Sequence, residues 1–433
     1  MVQSGGKCLL ISTHHLPLVG GALTVYDALA RYGVGRIEIL TASHDYHSGE
    51  EVAGWREFDA HAGYIIHRLS ALRVGKGISP RSNPLQWLKL SLTSRLVRKR
   101  VLRAVRTLLS DGGYSCLCIG DMGFLGWIAN HKKILGGIRI VQYVHGEEVS
   151  QQAHSARAEK ARRAILDKVD GIITVSRFTA DILIEKGVAP DKILVSHNGV
   201  DLNRFTGVLP PNARSDLDLP LGPLVFSLGR LVARKGFDTL IEAWPFVLEK
   251  IPNASLIIGG IGMEEQALKG QVQALNLQRN ITFLGAVSEE CLARYYGAAD
   301  VFALPNRTMP DGETEGFGLV FLEAAAMATP SVGGRAGGAV EAIVNGETGF
   351  LVTPTSPKEI AEAICRLLQD DGLRSQMGQA ARLHAEQNGW HEKVQAFLAF
   401  TADAQALTGL KSDTLVQGDR PDLGVKSQNE KTL

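Results

Sequence analysis

Residues 224–260 read LVFSLGRLVARKGFDTLIEAWPFVLEKIPNASLIIGG. A β-branched run (224–228) gives way to a basic loop, then to apolar residues at helical spacing (237–248), then to a second β-branched run (255–258) that ends in glycines. Strand, helix and strand in that rhythm make a βαβ unit, which requires a parallel sheet. The beat continues downstream, with strands expected at 281–284, 301–304 and 349–352 and helices at 264–275, 290–298 and 317–327. Upstream the same pattern places strands at 8–12, 37–40, 116–119, 138–144, 171–175 and 193–196.

The expected fold class is therefore α/β, with two doubly wound, Rossmann-like domains. Residues 206–223 hold four prolines among small and polar residues, so a linker at 209–222 separates a first domain, 1–208, from a second, 223–389. A helix at 390–409 is expected to cross back to the first domain, and the polar, aperiodic segment 410–433 reads as a disordered tail.

Composition narrows the function. The chain has 433 residues, 45% hydrophobic and 21% charged, enough to bury large cores. Lysine plus arginine total 46 against 45 acids, so nothing draws the whole molecule to nucleic acid. Five cysteines, Cys8, Cys116, Cys118, Cys291 and Cys365, are scattered without a C-x2-C pair, which disfavours a disulfide framework or a structural zinc site and fits a reducing cytoplasm. No signal peptide or membrane span is legible. G-x-S-x-G and Walker A motifs are absent, and the fourth residue after His391 is Gln395, not the histidine of a zincin.

Chemistry concentrates at ETEGFGLVFLEA, residues 313–324. If that run were wholly helical, Glu315 and Glu323 would lie about 12 Å apart on one face, too far for paired glycosidase carboxylates but suited to gripping both ends of one elongated ligand. A nucleotide sugar has that length, and its hydroxyls donate to carboxylates. The amides of Gly316, Phe317 and Gly318 at the helix start would face a diphosphate. On spacing alone, Glu315 reads equally as a helix-entry acid and Glu323 as a solvated one. Arg230 and Lys235 sit on a loop after a strand, where doubly wound sheets bind ligands, and two cations there suit a diphosphate; a solvated basic loop is the bland alternative. Gly260 and Gly262 form a glycine turn, compatible with ligand approach or with a tight strand-to-helix turn. Asp311, Glu313 and Glu315 are too few for a hard-cation site, so neither metal nor cofactor is expected.

Taken together, the Arg230/Lys235 pair, the Glu315 to Glu323 spacing, the run VSHNGVDLNRF (195–205) and the segment 330–350 resemble retaining glycosyltransferases of family 4, with the GT-B fold, in which the two domains face across a cleft. The resemblance covers residues 8–390. It implies that Glu323 binds the ribose hydroxyls, that Glu315 and the Gly316 to Gly318 amides bind the donor sugar, and that Arg230 and Lys235 bind the diphosphate. It also implies that Val287 contacts the base, that Gly20 and Gly21 face phosphate and acceptor, and that His145, ending VQYVHGEEV, bonds a donor-sugar hydroxyl. His197 and Val340 stand where the family pattern has proline. The implied activity is transfer of a hexose, with a lean to mannose from GDP-mannose, to a lipid-linked or surface-polysaccharide acceptor; a sugar-nucleotide epimerase and a non-catalytic nucleotide-sugar binder are the alternatives.

Residues 84–109 carry seven lysines and arginines and no acid. At helical spacing Val97, Val101, Ala104, Val105 and Leu108 share a face, opposite Arg95, Arg98, Lys99, Arg103 and Arg106. Beyond a merely solvated face, Arg95, Lys99 and Arg103 would suit docking on anionic lipid. The location expected is cytoplasmic, peripheral on the inner face of the plasma membrane.

Overall fold

The computed structural model describes residues 6–74, 84–153, 155–210 and 212–402; the expected tail at 410–433 lies outside the described residues. Two parallel sheets build the molecule. The first has seven strands, β1 (Lys7–Ile11), β2 (Ile37–Ala42), β3 (Ile66–Leu69), β4 (Tyr114–Ile119), β5 (Arg139–Val144), β6 (Gly171–Thr174) and β7 (Ile193–Val195), in the order β3-β2-β1-β4-β5-β6-β7. The second has six, β8 (Leu224–Leu228), β9 (Ser255–Gly259), β10 (Ile281–Gly285), β11 (Val301–Leu304), β12 (Ser331–Gly334) and β13 (Gly349–Val352), in the order β10-β9-β8-β11-β12-β13. In each sheet the order reverses beside the first strand, which opens a crevice at the C-terminal strand ends.

Burial follows from the connectivity. Parallel strands linked by helices are covered on both faces, so they read as continuous apolar runs; Leu9, Leu10 and Ile11 in β1 and Val301 to Leu304 in β11 are wholly buried. Trp244, Phe226, Tyr296, Phe302 and Phe321 fill the second core, with the Tyr296 and Phe302 ring centroids 5.3 Å apart.

The two C-terminal edges face each other. Gln152 N–H donates to the Asp311 carbonyl at 2.7 Å, and the Glu341 carboxylate, from the second half, accepts the N–H groups of Arg177 and Phe178 at 2.8 and 2.9 Å. Those amides open the helix Arg177–Glu185 beside β6, an end that favours an anion. The helix Trp390–Ala402 returns to pack against β4 and the helix Gly21–Tyr32.

Two strands escaped the sequence reading, β3 (IHRL) and β12 (SVGG). The helix expected from 317 begins only at Leu319, because Gly318 takes a left-handed backbone (φ 89°) as its cap. Glu315 thus lies outside the helix, and the 12 Å helical span to Glu323 does not apply.

Candidate active site

The loop after β8 tightens into a turn, Ala233–Lys235, which turns two cations inward. Lys235 Nζ donates to Glu315 Oε2 at 2.5 Å, and Arg234 donates to the same oxygen at 3.0 Å and to Glu313 Oε1 at 2.9 Å. Burial would push the Glu315 carboxyl up, but Lys235 and Arg234 outweigh it and hold it at about 2. Burial lowers the Lys235 ammonium, against the pull of Glu315. Two buried cations thus share one oxygen of the half-buried Glu315 carboxylate.

Arg230 differs from Lys235 in burial. Its side chain is 66% exposed and reaches Glu147 of the first half at 3.9 Å, a residue that also lies 3.6 Å from Arg234. The buried partner of Lys235 is Arg234, which the sequence reading passed over.

Across the crevice, His145 ends β5. Tyr26 donates its hydroxyl proton to the Gly120 carbonyl at 2.8 Å, so its oxygen accepts from His145 Nε2–H at 2.7 Å. That fixes the tautomer and leaves Nδ1 as an acceptor. Burial lowers the ring to about 4, so it is neutral at pH 7. Glu148, three residues on, accepts the N–H groups of His145 (3.1 Å) and Gly146 (3.0 Å); burial, reinforced by Glu147 and Asp121, raises its carboxyl to about 8.

The glycines divide by what occupies their missing side chains. A Cβ on Gly316 would collide with the His145 carbonyl oxygen, so this glycine lets the two halves touch. Gly260 (φ 124°) and Gly262 abut the backbone of Gly229 and Leu231, so packing between two protein loops already accounts for both. Gly20 caps the helix Gly21–Tyr32, and Gly21 faces Leu319.

Phe317 is buried and stacks on His197, with centroids 5.6 Å apart. Glu323, on the helix Leu319–Ala326, accepts the Tyr296 hydroxyl at 2.7 Å, and burial raises its carboxyl. Half-buried Val287 packs against Gly259 at the end of β9. Among the described residues no group of three or more His, Cys, Asp or Glu is arranged to hold a metal.

Comparison with known proteins adds the family. Residues 215–384 match the model of glycosyl transferases group 1, and residues 19–204 that of Glycosyltransferase Family 4. A GDP-mannose-dependent alpha-(1-6)-phosphatidylinositol monomannoside mannosyltransferase of Mycobacterium tuberculosis is 32% identical over 283 residues, 64% of this chain and 73% of that protein. The chain belongs to the family 4, group 1 glycosyltransferases. A family member from Corynebacterium aurimucosum, a D-inositol 3-phosphate glycosyltransferase, is 30% identical over 66% of this chain and 70% of its own. The Anabaena protein HepE, solved with UDP and glucose, superposes with a TM-score of 0.71 at 20% identity, covering 94% of this chain and all of that one; at that identity it speaks for the GT-B fold alone. The protein is thus a glycosyltransferase of GT-B fold.

Proposed function

We propose that this glycosyltransferase moves mannose from GDP-mannose, with retention of configuration, to a lipid-linked or surface-polysaccharide acceptor. The observation that carries the reading is the buried Lys235–Glu315–Arg234 cluster set opposite neutral His145. As the glycosidic bond breaks, charge grows on the departing diphosphate. Preorganised cations in a site closed from water stabilise that charge far better than solvent does. Lys235 and Arg234 supply them, exposed Arg230 adds a weaker, solvent-screened charge toward the diphosphate, and the amides of Gly316, Phe317 and Gly318 add dipoles at a helix start.

In this reading the remaining groups hold the donor. Glu315 accepts from donor-sugar hydroxyls, His145 Nδ1 accepts one more, and Glu323, steadied by Tyr296, accepts from the ribose. Val287 lies at the base, while Gly20 and Gly21 border the phosphates and the incoming acceptor. A donor phosphate oxygen takes the acceptor proton, so the protein chiefly orients the reactants. The donor and the lipid character of the acceptor draw support from the name of the mycobacterial relative, a GDP-mannose-dependent phosphatidylinositol monomannoside mannosyltransferase. Such an acceptor would place the enzyme peripherally on the cytoplasmic face of the membrane.

A panel of GDP- and UDP-linked sugars, offered with a lipid extract and followed by NMR of the product anomeric centre, tests this reading. Mannose transferred from GDP-mannose with an α linkage is expected. Turnover confined to UDP-sugars would remove the donor assignment, and an inverted product would remove retention.

A further inference from the structure

The helix Pro84–Asp111 buries one side and leaves the other uncovered among the described residues. Val101 and Val105 are wholly buried in the first core, with Val97 and Leu108 packed beside them. On the far side Leu85, Leu88, Leu92 and Leu96 are 82, 50, 50 and 63% exposed. The line continues into Lys99, Arg103 and Arg106, all exposed, each step three or four residues, so the seven side chains share one face. A face built only for water would have no use for the leucines.

We infer that this face docks on an anionic membrane: the leucines enter the boundary between headgroups and acyl chains, and the lysines and arginines hold anionic headgroups. Charge selects this occupant. A second copy of the chain would bring two such cationic stripes together, at a cost in repulsion. Residues 403–433 carry five acids against four bases and offer the stripe little complement.

Topology says where the bilayer would lie. In a parallel sheet the crossover helix runs back against the strands, so the half bearing the leucines lies near the C-terminal end of β3. That edge also carries Asp121 and His145. The membrane would therefore meet the protein beside the crevice, where a lipid-linked acceptor enters. Only this last step rests on the proposed function; docking itself does not.

Co-sedimentation of the full chain with vesicles of phosphatidylcholine, alone or mixed with phosphatidylglycerol, at low and high salt, tests the inference. Wild type is expected to pellet with the anionic vesicles, less so as salt rises. Joint replacement Leu88→Ser, Leu92→Ser and Leu96→Ser should lower the partition coefficient by about 30-fold or more. Arg95→Gln, Lys99→Gln and Arg103→Gln together should leave only weak, salt-indifferent binding. The thermal midpoint checks folding of both variants. As a second measurement, an environment-sensitive dye on Leu92→Cys in a Cys291→Ser background should shift to the blue with anionic vesicles only. The inference is overturned if wild type ignores anionic vesicles, if the leucine variant binds as wild type does, or if light scattering shows that the leucines hold a dimer together. Lost vesicle binding with soluble-acceptor transfer intact would remove docking alone. Intact binding with no transfer from any donor would instead remove the proposed function.

Discussion

His197 Nε2 lies 2.7 Å from Glu341 Oε2, which joins the end of the first sheet to the second half of the chain. The same carboxylate accepts the amides of Arg177 and Phe178, and the His197 ring stacks on Phe317 in the loop beside Glu315. His197 therefore takes part in a contact across the crevice, and Val340 immediately precedes Glu341, whose carboxylate His197 meets.

Glu341→Gln should loosen this latch. Hydrogen bonds to a charged group contribute about 1.5–3 kcal/mol, so a fall in kcat/KM of roughly tenfold is expected, with a larger radius of gyration in small-angle scattering. Unchanged kinetics and radius would show that closure does not depend on it. Burial would raise the Glu341 carboxyl, but His197 and the two amides outweigh it and lower it. The stabilisation contributed by the Glu341 carboxylate is therefore present above the ordinary carboxylate range and is lost as pH falls through that depressed value.

Lys235→Ala should reduce kcat on the order of 100-fold or more on folded protein, as expected for removing one preorganised stabiliser of the leaving group. Arg230→Ala should do far less, since Arg230 is exposed and held only loosely near Glu147. Steady-state kinetics of the pair decides it: equal losses would return Arg230 to the same footing as Lys235.

Glu323→Gln should act mainly on donor KM, because a ribose contact is made about equally in the ground and transition states. Tyr296→Phe should weaken donor binding less, since it removes a group that steadies Glu323 without touching the ribose itself. If neither substitution alters donor affinity by calorimetry, the ribose site lies elsewhere.

The raised pKa of Glu148, about 8, gives a signed prediction for stability. The folded state keeps this proton where the unfolded chain has released it, so the associated stabilisation falls as pH rises from the ordinary carboxylate range toward 8. Wild type should melt a few degrees lower at the alkaline end of that window. Glu148→Gln, which still offers an oxygen to the amides of His145 and Gly146, should flatten the dependence. An identical slope in the variant would assign it to other groups.

Most strands were legible because parallel strands buried on both faces read as plain apolar runs. β3 was not, since His67 and Arg68 are engaged laterally, His67 with Glu38 and Arg68 with Asp59, in a half-buried edge strand. β12 consists of Ser-Val-Gly-Gly, too small to register as a run. At the candidate site, Lys235 stood out by its place after a strand and Glu315 by its spacing to Glu323 around a glycine turn. Arg234 did not, because its burial is imposed by Glu313 and Glu315 from a distant loop, and a third cation in a basic loop looks like any solvated one. Tyr296 reads as core because it is core; only its hydroxyl reaches the site.

The returning helix Trp390–Ala402 sets an order of events during synthesis. Trp390 closes on Gly199, Phe400 on Gly171, and Phe397 packs near Tyr143, while Val200 donates its N–H to the Asn388 carbonyl at 3.0 Å. Trp390, Phe397 and Phe400 are all buried, each contributing about 1.5–3 kcal/mol by leaving water. The half of the chain that leaves the ribosome first is therefore finished last. The cover that Trp390, Phe397 and Phe400 give its sheet becomes available only after the strands and helices of the second half have been translated.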